Sequence, residues 1–149
     1  MASRPGTDEK NENAESAIQY AAPAIDWETR GYWEGAGRGE LVLQRCGDCG
    51  VVQHRPRGLC VSCLSDAIEH FVASGLGRVY TFSIVRQNQM PAFREAVPYV
   101  IAYVQTDEGP QILSNVVGCD PESVEIGMRV KADFVRTGDE LGVPRFVPA

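Results

Sequence analysis

Two short cysteine motifs decide the fold of the N-terminal half of this chain: Cys46-Gly47-Asp48-Cys49 and, ten residues later, Cys60-Val61-Ser62-Cys63. Two Cys-x-x-Cys turns can bring four thiolates around one Zn²⁺, which prefers a tetrahedron of ligands with Zn–S distances of about 2.3 Å. Four cysteines fill the coordination shell and leave no position for a substrate. The spacing therefore predicts a zinc ribbon whose metal is structural, with the ligands Cys46, Cys49, Cys60 and Cys63.

Other interpretations of the cysteines stay open. Cys-x-x-Cys turns also form redox-active disulfides, although that chemistry is more typical of a single motif beside a β-α-β unit. A histidine, His54 or His70, could replace one cysteine as a ligand. Cys119 stands alone, and because no motif gives it a histidine partner, we expect it to be structural rather than nucleophilic.

The charge of the chain argues against one broad class of function. Its formal net charge is −6, whereas nucleic-acid-binding domains present a basic face to the phosphates. We therefore expect no nucleic-acid partner, and a zinc-ribbon/OB module that binds nucleic acid is the alternative hypothesis.

No run of 18 apolar residues occurs, so we expect no membrane partner. Thiols in metal-ligand spacing and a polar N-terminus without a signal-peptide core favour a cytoplasmic location.

The N-terminal region divides into a tail and a short aromatic helix. Residues 1–24 are predicted to be a tail that is disordered or ordered by a partner. Residues 25–40 hold the short helix, predicted over 25–36 with Asp26 as its N-cap. Its aromatics, Trp27, Tyr32 and Trp33, either pack against the chain's own ribbon or form a partner interface, because Trp and Tyr are enriched at interface hot spots.

Residues 41–68 are predicted to form the zinc ribbon, with the hairpin tip at 54–57. Arg45, Arg55 and Arg57 make this the most basic part of the chain. They are candidates for binding an anionic group such as the phosphates of CoA. Solvated arginines at a hairpin tip are the other interpretation. Residues 64–70, directly after Cys63, are predicted to be a linker.

Residues 69–149 are predicted to form a second, mainly β domain. Alternating apolar residues indicate five strands, near 77–85, 98–105, 111–117, 127–135 and 143–147, with one helical turn between the third and the fourth. This order fits a five-stranded OB-type barrel. The aromatics of this domain include Tyr80, Phe82, Tyr99, Tyr103 and Phe134. The alternation places most of these five in the core. The sequence contains no phosphate-binding loop or catalytic triad motif, so no catalytic residue is predicted.

Several motifs in a fixed order resemble a known family. They are Tyr32-Trp33-Glu34, the segment 39–50 with the first cysteine pair, Arg55-Pro56-Arg57, Cys60-Val61-Ser62-Cys63, the segment 75–82, the segment 98–104, the segment 115–118, the segment 127–130 and Pro144-Arg145-Phe146. The chain resembles, over residues 27–148, the acyl-CoA-associated family that joins a rubredoxin-like zinc ribbon to an OB-fold domain.

The resemblance implies a function for which the residues alone give no evidence. Members of this family are usually small subunits of thiolase-like enzymes or of steroid side-chain aldolases, and a thiolase-fold large subunit carries the catalytic residues. A heterotetramer with such a subunit is the expected assembly, with CoA or acyl-CoA as a ligand shared with the partner. Only the four zinc cysteines can be transferred from the family to positions of this sequence.

Overall fold

A computed structural model describes residues 18–138 and 140–149 of the chain. Most of the predicted N-terminal tail, residues 1–17, lies outside the described residues. The end of that tail packs on the C-terminal domain: Ile18 is buried beside Ala96 and Tyr99, and the Tyr20 hydroxyl donates to Oδ1 of Asn115 over 3.1 Å. Within the described ranges, no helix has the length and apolar character needed to cross a bilayer.

Over the described residues the protein is mainly β, as predicted, with one α-helix ahead of the ribbon. The elements are α1 Arg30–Gly37, β1 Val42–Cys46, β2 Val52–Gln53, β3 Ile68–Val72, β4 Leu76–Val85, β5 Tyr99–Thr106, β6 Gln111–Val116, β7 Arg129–Arg136 and β8 Gly142–Pro148. Two 3₁₀ turns, Arg94–Ala96 and Pro121–Ser123, lie in the connections.

Helix α1 begins later than the sequence pattern predicts. Asp26 caps a separate turn ahead of the helix, where its Oδ1 accepts hydrogen bonds from the backbone N–H of Thr29 at 2.8 Å and from the Thr29 hydroxyl at 2.7 Å. The hydrogen bond from the Thr29 side chain holds the pKa of Asp26 below its usual range. The carboxylate thus stabilises a turn at 26–29, and the helix itself starts at Arg30.

The ribbon is a three-stranded antiparallel sheet with the order β2-β1-β3. Strand β3 corrects the predicted linker, because residues 68–72 pair with the whole of β1, from Val42 opposite Val72 to Cys46 opposite Ile68. The segment was difficult to predict because its strand is short and mostly exposed, so its apolar and polar residues do not alternate clearly.

The C-terminal domain is the predicted five-stranded barrel, closed in the order β4-β5-β6-β8-β7. Strand β5 is apolar on both faces because each face is covered: Val100, Ala102 and Val104 lie in the main core. Tyr99 and Ile101 belong to a second cluster that includes Ile18 and Ala96.

Tyr99, Phe82 and Phe134 pack in or against the buried clusters, as predicted for most of the barrel aromatics, whereas Tyr80 and Tyr103 are exposed. A register shift between Val79 and Thr81 frees Tyr80 from the alternation.

One core is shared by the helix, the ribbon and the barrel. Tyr32 of α1, Leu41 and Leu43 from the ribbon region, and barrel residues such as Val79 and Phe146 belong to the same buried cluster. The backbones of α1 and β8 approach closely: a Cβ on Gly142 would lie 2.5 Å from the carbonyl oxygen of Ala36. Only glycine leaves room for this contact.

Substituting Gly142 by alanine tests whether the close approach of α1 and β8 holds the two parts together. We expect Gly142→Ala to lower the free energy of unfolding by about 1–3 kcal/mol, because backbone atoms rather than flexible side chains must move to admit the methyl group. The measurement is urea unfolding monitored by tryptophan fluorescence.

The control is Gly31→Ala in the same helix, where an added Cβ would meet only the His70 ring, at 3.4 Å. That variant should be neutral or more stable by up to about 1 kcal/mol, since alanine has the higher helix propensity. Equal losses of stability in both variants would contradict the packing argument.

Candidate metal centre and adjoining cleft

The four predicted zinc ligands lie together at the end of the ribbon. The Sγ atoms of Cys46 and Cys63 are 3.6 Å apart, those of Cys49 and Cys60 are 3.5 Å apart, and all four lie within 4.8 Å of one another. A regular tetrahedron of zinc thiolates with Zn–S distances of about 2.3 Å has sulfur–sulfur distances of about 3.8 Å. The geometry therefore fits structural zinc in a rubredoxin-like site, and His54 and His70 are not part of the cluster.

The backbone of each knuckle is shaped to receive a metal. The residue after each second cysteine has a left-handed conformation, Gly50 with φ of 75° and Leu64 with φ of 62°. Hydrogen bonds from the N–H groups of Cys63 and Ser62 lower the pKa of the Cys60 thiol to about 6. The N–H group of Cys49 similarly lowers the pKa of Cys46. These donors favour the thiolate form, which is the form that binds zinc.

Two buried glutamines hold the ribbon hairpin, a feature that the sequence analysis missed. Oε1 of Gln44 accepts from Nε2 of Gln53 at 2.9 Å and from the N–H of Arg57 at 2.8 Å. Oε1 of Gln53 accepts from the N–H of Val61 at 3.0 Å. The two amide side chains therefore connect β1 to β2 and accept hydrogen bonds from backbone N–H groups of the loop that follows. The only sequence signal was their position directly after apolar residues, with Gln44 after Leu43 and Gln53 after Val52.

The three predicted interface aromatics have different surroundings. Tyr32 is only 5% exposed and belongs to the shared core, and burial raises the pKa of its hydroxyl well above the usual range, so the group stays neutral. Trp33 is half-buried against the same core and meets Tyr32 edge-on, with ring centroids 4.8 Å apart. Trp27 remains 77% exposed and lies over Gly58 of the ribbon. Of the three, Trp27 is the one whose ring is available to a partner.

The three candidate arginines also lie in different surroundings. The guanidinium of Arg45 stacks on Phe71, 4.5 Å from the ring centroid. Arg57 uses its backbone N–H to hold the hairpin against Gln44. Arg55 lines a cleft between the ribbon tip and the barrel. Binding of CoA phosphates by Arg45, Arg55 and Arg57 stays a prediction, and Arg55 is the one that lines a cavity.

The cleft next to Arg55 has a volume of about 610 Å³. Its walls come from three parts of the chain, namely α1 with the turn before it, the ribbon tip, and strands β5 and β6. His54 lies in the wall beside Tyr32, with ring centroids 5.0 Å apart. Burial, assisted by the charge of Arg55, lowers the pKa of His54 to about 4. At neutral pH the cleft therefore presents a neutral imidazole and a cationic guanidinium.

The remaining cysteine lies apart from the metal centre. Cys119 is half-buried, packs against the shared core and does not belong to the thiolate cluster.

Two family models match the chain in succession. Residues 33–69 match the rubredoxin-like zinc ribbon domain of ChsH2, and residues 72–135 match the C-terminal OB-fold domain of ChsH2. A DUF35 domain-containing scaffold protein of Methanocaldococcus jannaschii is 39% identical over 101 residues, which are 67% of this chain and 71% of that protein. The chain belongs to this DUF35 family, whose members combine a zinc ribbon with an OB fold.

Particular relatives include subunits of larger enzymes. A probable enoyl-CoA hydratase alpha subunit of Thermomonospora curvata is 36% identical over 98% of this chain, which spans 45% of that protein. The benzoylsuccinyl-CoA thiolase subunit BbsA of Geobacter metallireducens is 31% identical over 52% of this chain and 55% of that subunit. The solved structure of an Ltp2-ChsH2(DUF35) aldolase contains a similar chain, with a TM-score of 0.76 and 36% identity over 85% of this chain and 98% of that one.

Loss of one zinc ligand should release the metal. We expect the purified wild-type chain to contain about one zinc ion and Cys60→Ser to lose most of it, because a hydroxyl cannot replace a thiolate whose pKa the backbone has lowered. Metal content is measured by mass spectrometry of the purified chain. The matched control, Cys119→Ser, should retain the zinc; equal loss in both variants would contradict the assignment of ligands.

The half-buried imidazole of His54 makes stability depend on pH. Because the pKa of His54 is about 4 in the folded chain and 6.5 in its ordinary state, the unfolded chain binds the proton first, and stability is lost as pH falls below 6.5. Relative to His54→Gln, we expect the wild type to lose about 2 kcal/mol between pH 7 and pH 5. Urea unfolding at both pH values tests this. Zinc release affects both proteins, so the difference between them isolates His54; a difference that does not change with pH would contradict the prediction.

Proposed function

We propose that this chain is a non-catalytic, zinc-binding subunit of a heteromeric acyl-CoA enzyme whose thiolase-fold large subunit makes or breaks a carbon–carbon bond. The observation that carries the proposal is the complete thiolate shell of the metal centre. Four cysteine ligands leave zinc no open position at which it could activate water or polarise a carbonyl group. In this function the metal shapes the ribbon, and the reacting atoms are held by the other subunit.

The relatives support two versions of this function. The similarity to BbsA favours a thiolase, specifically the cleavage of 2-benzoylsuccinyl-CoA in anaerobic toluene degradation, and this is the leading version. The similarity to the chain in the Ltp2-ChsH2(DUF35) aldolase favours the second version, a subunit of a steroid side-chain acyl-CoA aldolase. In both versions the chain is needed for assembly or activity and helps to shape the channel for the CoA substrate. A heterotetramer with the large subunit is the proposed assembly.

The ribbon offers a surface for the large subunit. We define the ribbon patch as Trp27, Leu59, Val61 and Leu64, all of which are exposed apolar side chains. Leu59 and Val61 flank the buried ligand Cys60, and Trp27 lies over the adjacent Gly58. Because the zinc and the two glutamines fix this part of the backbone, the patch can present its side chains at little cost in conformational entropy.

Reconstitution tests the division of labour between the subunits. We expect the isolated zinc-loaded chain to be unable to cleave a 3-oxoacyl-CoA, and a mixture with its co-expressed thiolase-fold subunit to cleave it in the presence of CoA. Release of the shorter acyl-CoA is followed by liquid chromatography. Cleavage by the isolated chain at a rate comparable to that of the complex would contradict the proposal.

Replacing the exposed tryptophan tests the docking surface separately. Trp27→Ala should weaken association with the large subunit by about 2 kcal/mol, or roughly 30-fold, as expected for an aromatic hot spot. Affinity is measured by titration of one labelled subunit with the other. The control is Tyr80→Ala, which removes an exposed aromatic from the barrel; equal affinities for both variants would remove Trp27 from the interface.

A further inference from the structure

One strand of the ribbon has an open edge. Strand β3 lies at the side of the three-stranded sheet, where it pairs with β1 and has no strand on its other side. The opposite outer strand, β2, is only two residues long, and the barrel strands pair on both sides because the barrel is closed. Among the described residues, β3 is therefore the one strand of five residues or more with a row of unpaired backbone groups.

The backbone groups that face this edge follow from the pairing of β3 with β1. The N–H of Ala73 donates to the carbonyl oxygen of Leu41 at 2.8 Å, so it points toward β1. Because opposed residues of an antiparallel pair alternate between hydrogen-bonded and non-hydrogen-bonded positions, the N–H and C=O groups of His70 and Val72 point to the open edge. At Ile68 the N–H is held by a hydrogen bond within its own turn, which leaves the C=O.

Strand β3 lacks the features that commonly protect an edge. Natural edge strands carry lysine, proline or a bulge, whereas β3 reads Ile68-Glu69-His70-Phe71-Val72 and pairs with β1 without a register shift. Val72 is 58% exposed. It also lines a depression of about 240 Å³ between β3 and the barrel, to which Leu76 and Phe134 contribute. The open backbone edge thus lies beside an apolar surface.

Two opposite charges on one face of this sheet are neighbours but do not pair. Arg45 of β1 lies directly opposite Glu69 of β3, and both side chains are exposed. None of the ion pairs within 4.0 Å in the described ranges includes either residue. The guanidinium of Arg45 instead lies over the ring of Phe71, 4.5 Å from its centroid. The carboxylate and the guanidinium are therefore both available to an outside partner.

We propose that the open edge of β3 binds the β3 strand of a second copy of this chain, in an antiparallel register centred on His70. The two ribbon sheets then form one continuous sheet across a two-fold axis. Each copy donates from the N–H groups of His70 and Val72 to the carbonyl oxygens of His70 and Ile68 in the other copy. The edge shares no residue with the ribbon patch, so this inference goes beyond the proposed function and does not depend on it.

The side chains are complementary in the same register. Ile68 of one copy lies opposite Val72 of the other, which places apolar side chains together beside the depression. Glu69 lies opposite Phe71 of the second copy, over which that copy's Arg45 is stacked, so the two unpaired charges come within reach of each other. Both contacts occur twice because the interface is two-fold symmetric. This self-complementarity is the reason that the occupant is a second copy rather than an unrelated strand.

The first test is sedimentation velocity of the full zinc-loaded chain between about 1 µM and 1 mM. We expect a reversible dimer with a dissociation constant on the order of 10–100 µM, since a single strand edge buries less area than a standard interface. Val72→Pro removes an N–H of the open edge but no hydrogen bond to β1, and proline is tolerated on edge strands. It should weaken dimerisation at least about tenfold.

The matched control is Val72→Thr, which keeps the N–H and the branched shape and should dimerise like the wild type. Zinc content shows that each variant has kept its ribbon. A wild-type chain that stays monomeric at about 1 mM would overturn the proposal and would leave the edge to a strand of another protein. Equal dimerisation of Val72→Pro and the wild type would overturn it as well.

Cysteine cross-linking tests the register independently. The two His70 residues would form a hydrogen-bonded pair with Cα atoms about 5.5 Å apart, within the range of about 4.4–6.8 Å that a disulfide spans. Treatment of His70→Cys with diamide should therefore give a covalent dimer on non-reducing electrophoresis. In Val72→Cys the two thiols would be several residues out of register and should not join. The wild type, treated in parallel, gives the background from its own cysteines, and equal cross-linking at both positions would overturn the proposed register.

Discussion

The contact between helix α1 and strand β8 is the constraint on which the rest of the structure depends. Gly142 brings the backbone of β8 against the carbonyl of Ala36 at a distance that admits no side chain. This contact places Tyr32 inside the barrel's core, where it meets Leu41 and Leu43 from the start of the ribbon. The ribbon and the barrel are thus parts of one packed body, although two family models describe them separately.

Zinc and hydrogen bonds organise the part of the ribbon that this core does not reach. The hairpin between the cysteine pairs has few buried apolar side chains, and a segment of this size cannot be stabilised by burial alone. The four thiolates fix the end of the ribbon that holds the metal, and Gln44 and Gln53 accept hydrogen bonds from the backbone of Arg57 and Val61 in the loop after β2. A directional network of this kind specifies one conformation, because each amide has its partners in one arrangement only.

The features that could be predicted from the sequence are those that produce a regular pattern, either a fixed spacing of cysteines or an alternation of apolar residues. The cysteine spacing identified the metal ligands, and alternation located the five barrel strands to within a few residues. Strand β3 was not predicted, because its short and mostly exposed segment lacks a clear alternation of apolar and polar residues. The exposure of Tyr80 was not predicted either, because it follows from a bulge in β4. The cleft could not be predicted either, because its walls come from residues far apart in the chain, such as Asp26, Arg55 and Leu113, and their proximity depends on tertiary packing.

The common core also determines how the cleft can respond to a ligand. Its walls belong to α1, the ribbon tip and the barrel, which in many two-domain proteins would move relative to one another. Here a hinge between them would have to expose Tyr32, Leu41 and Leu43 to water, at a cost of several kcal/mol. The cleft is therefore preformed, and a molecule that enters it meets a site of fixed width. Such a site distinguishes ligands by their shape and charge, because no domain closure accompanies binding.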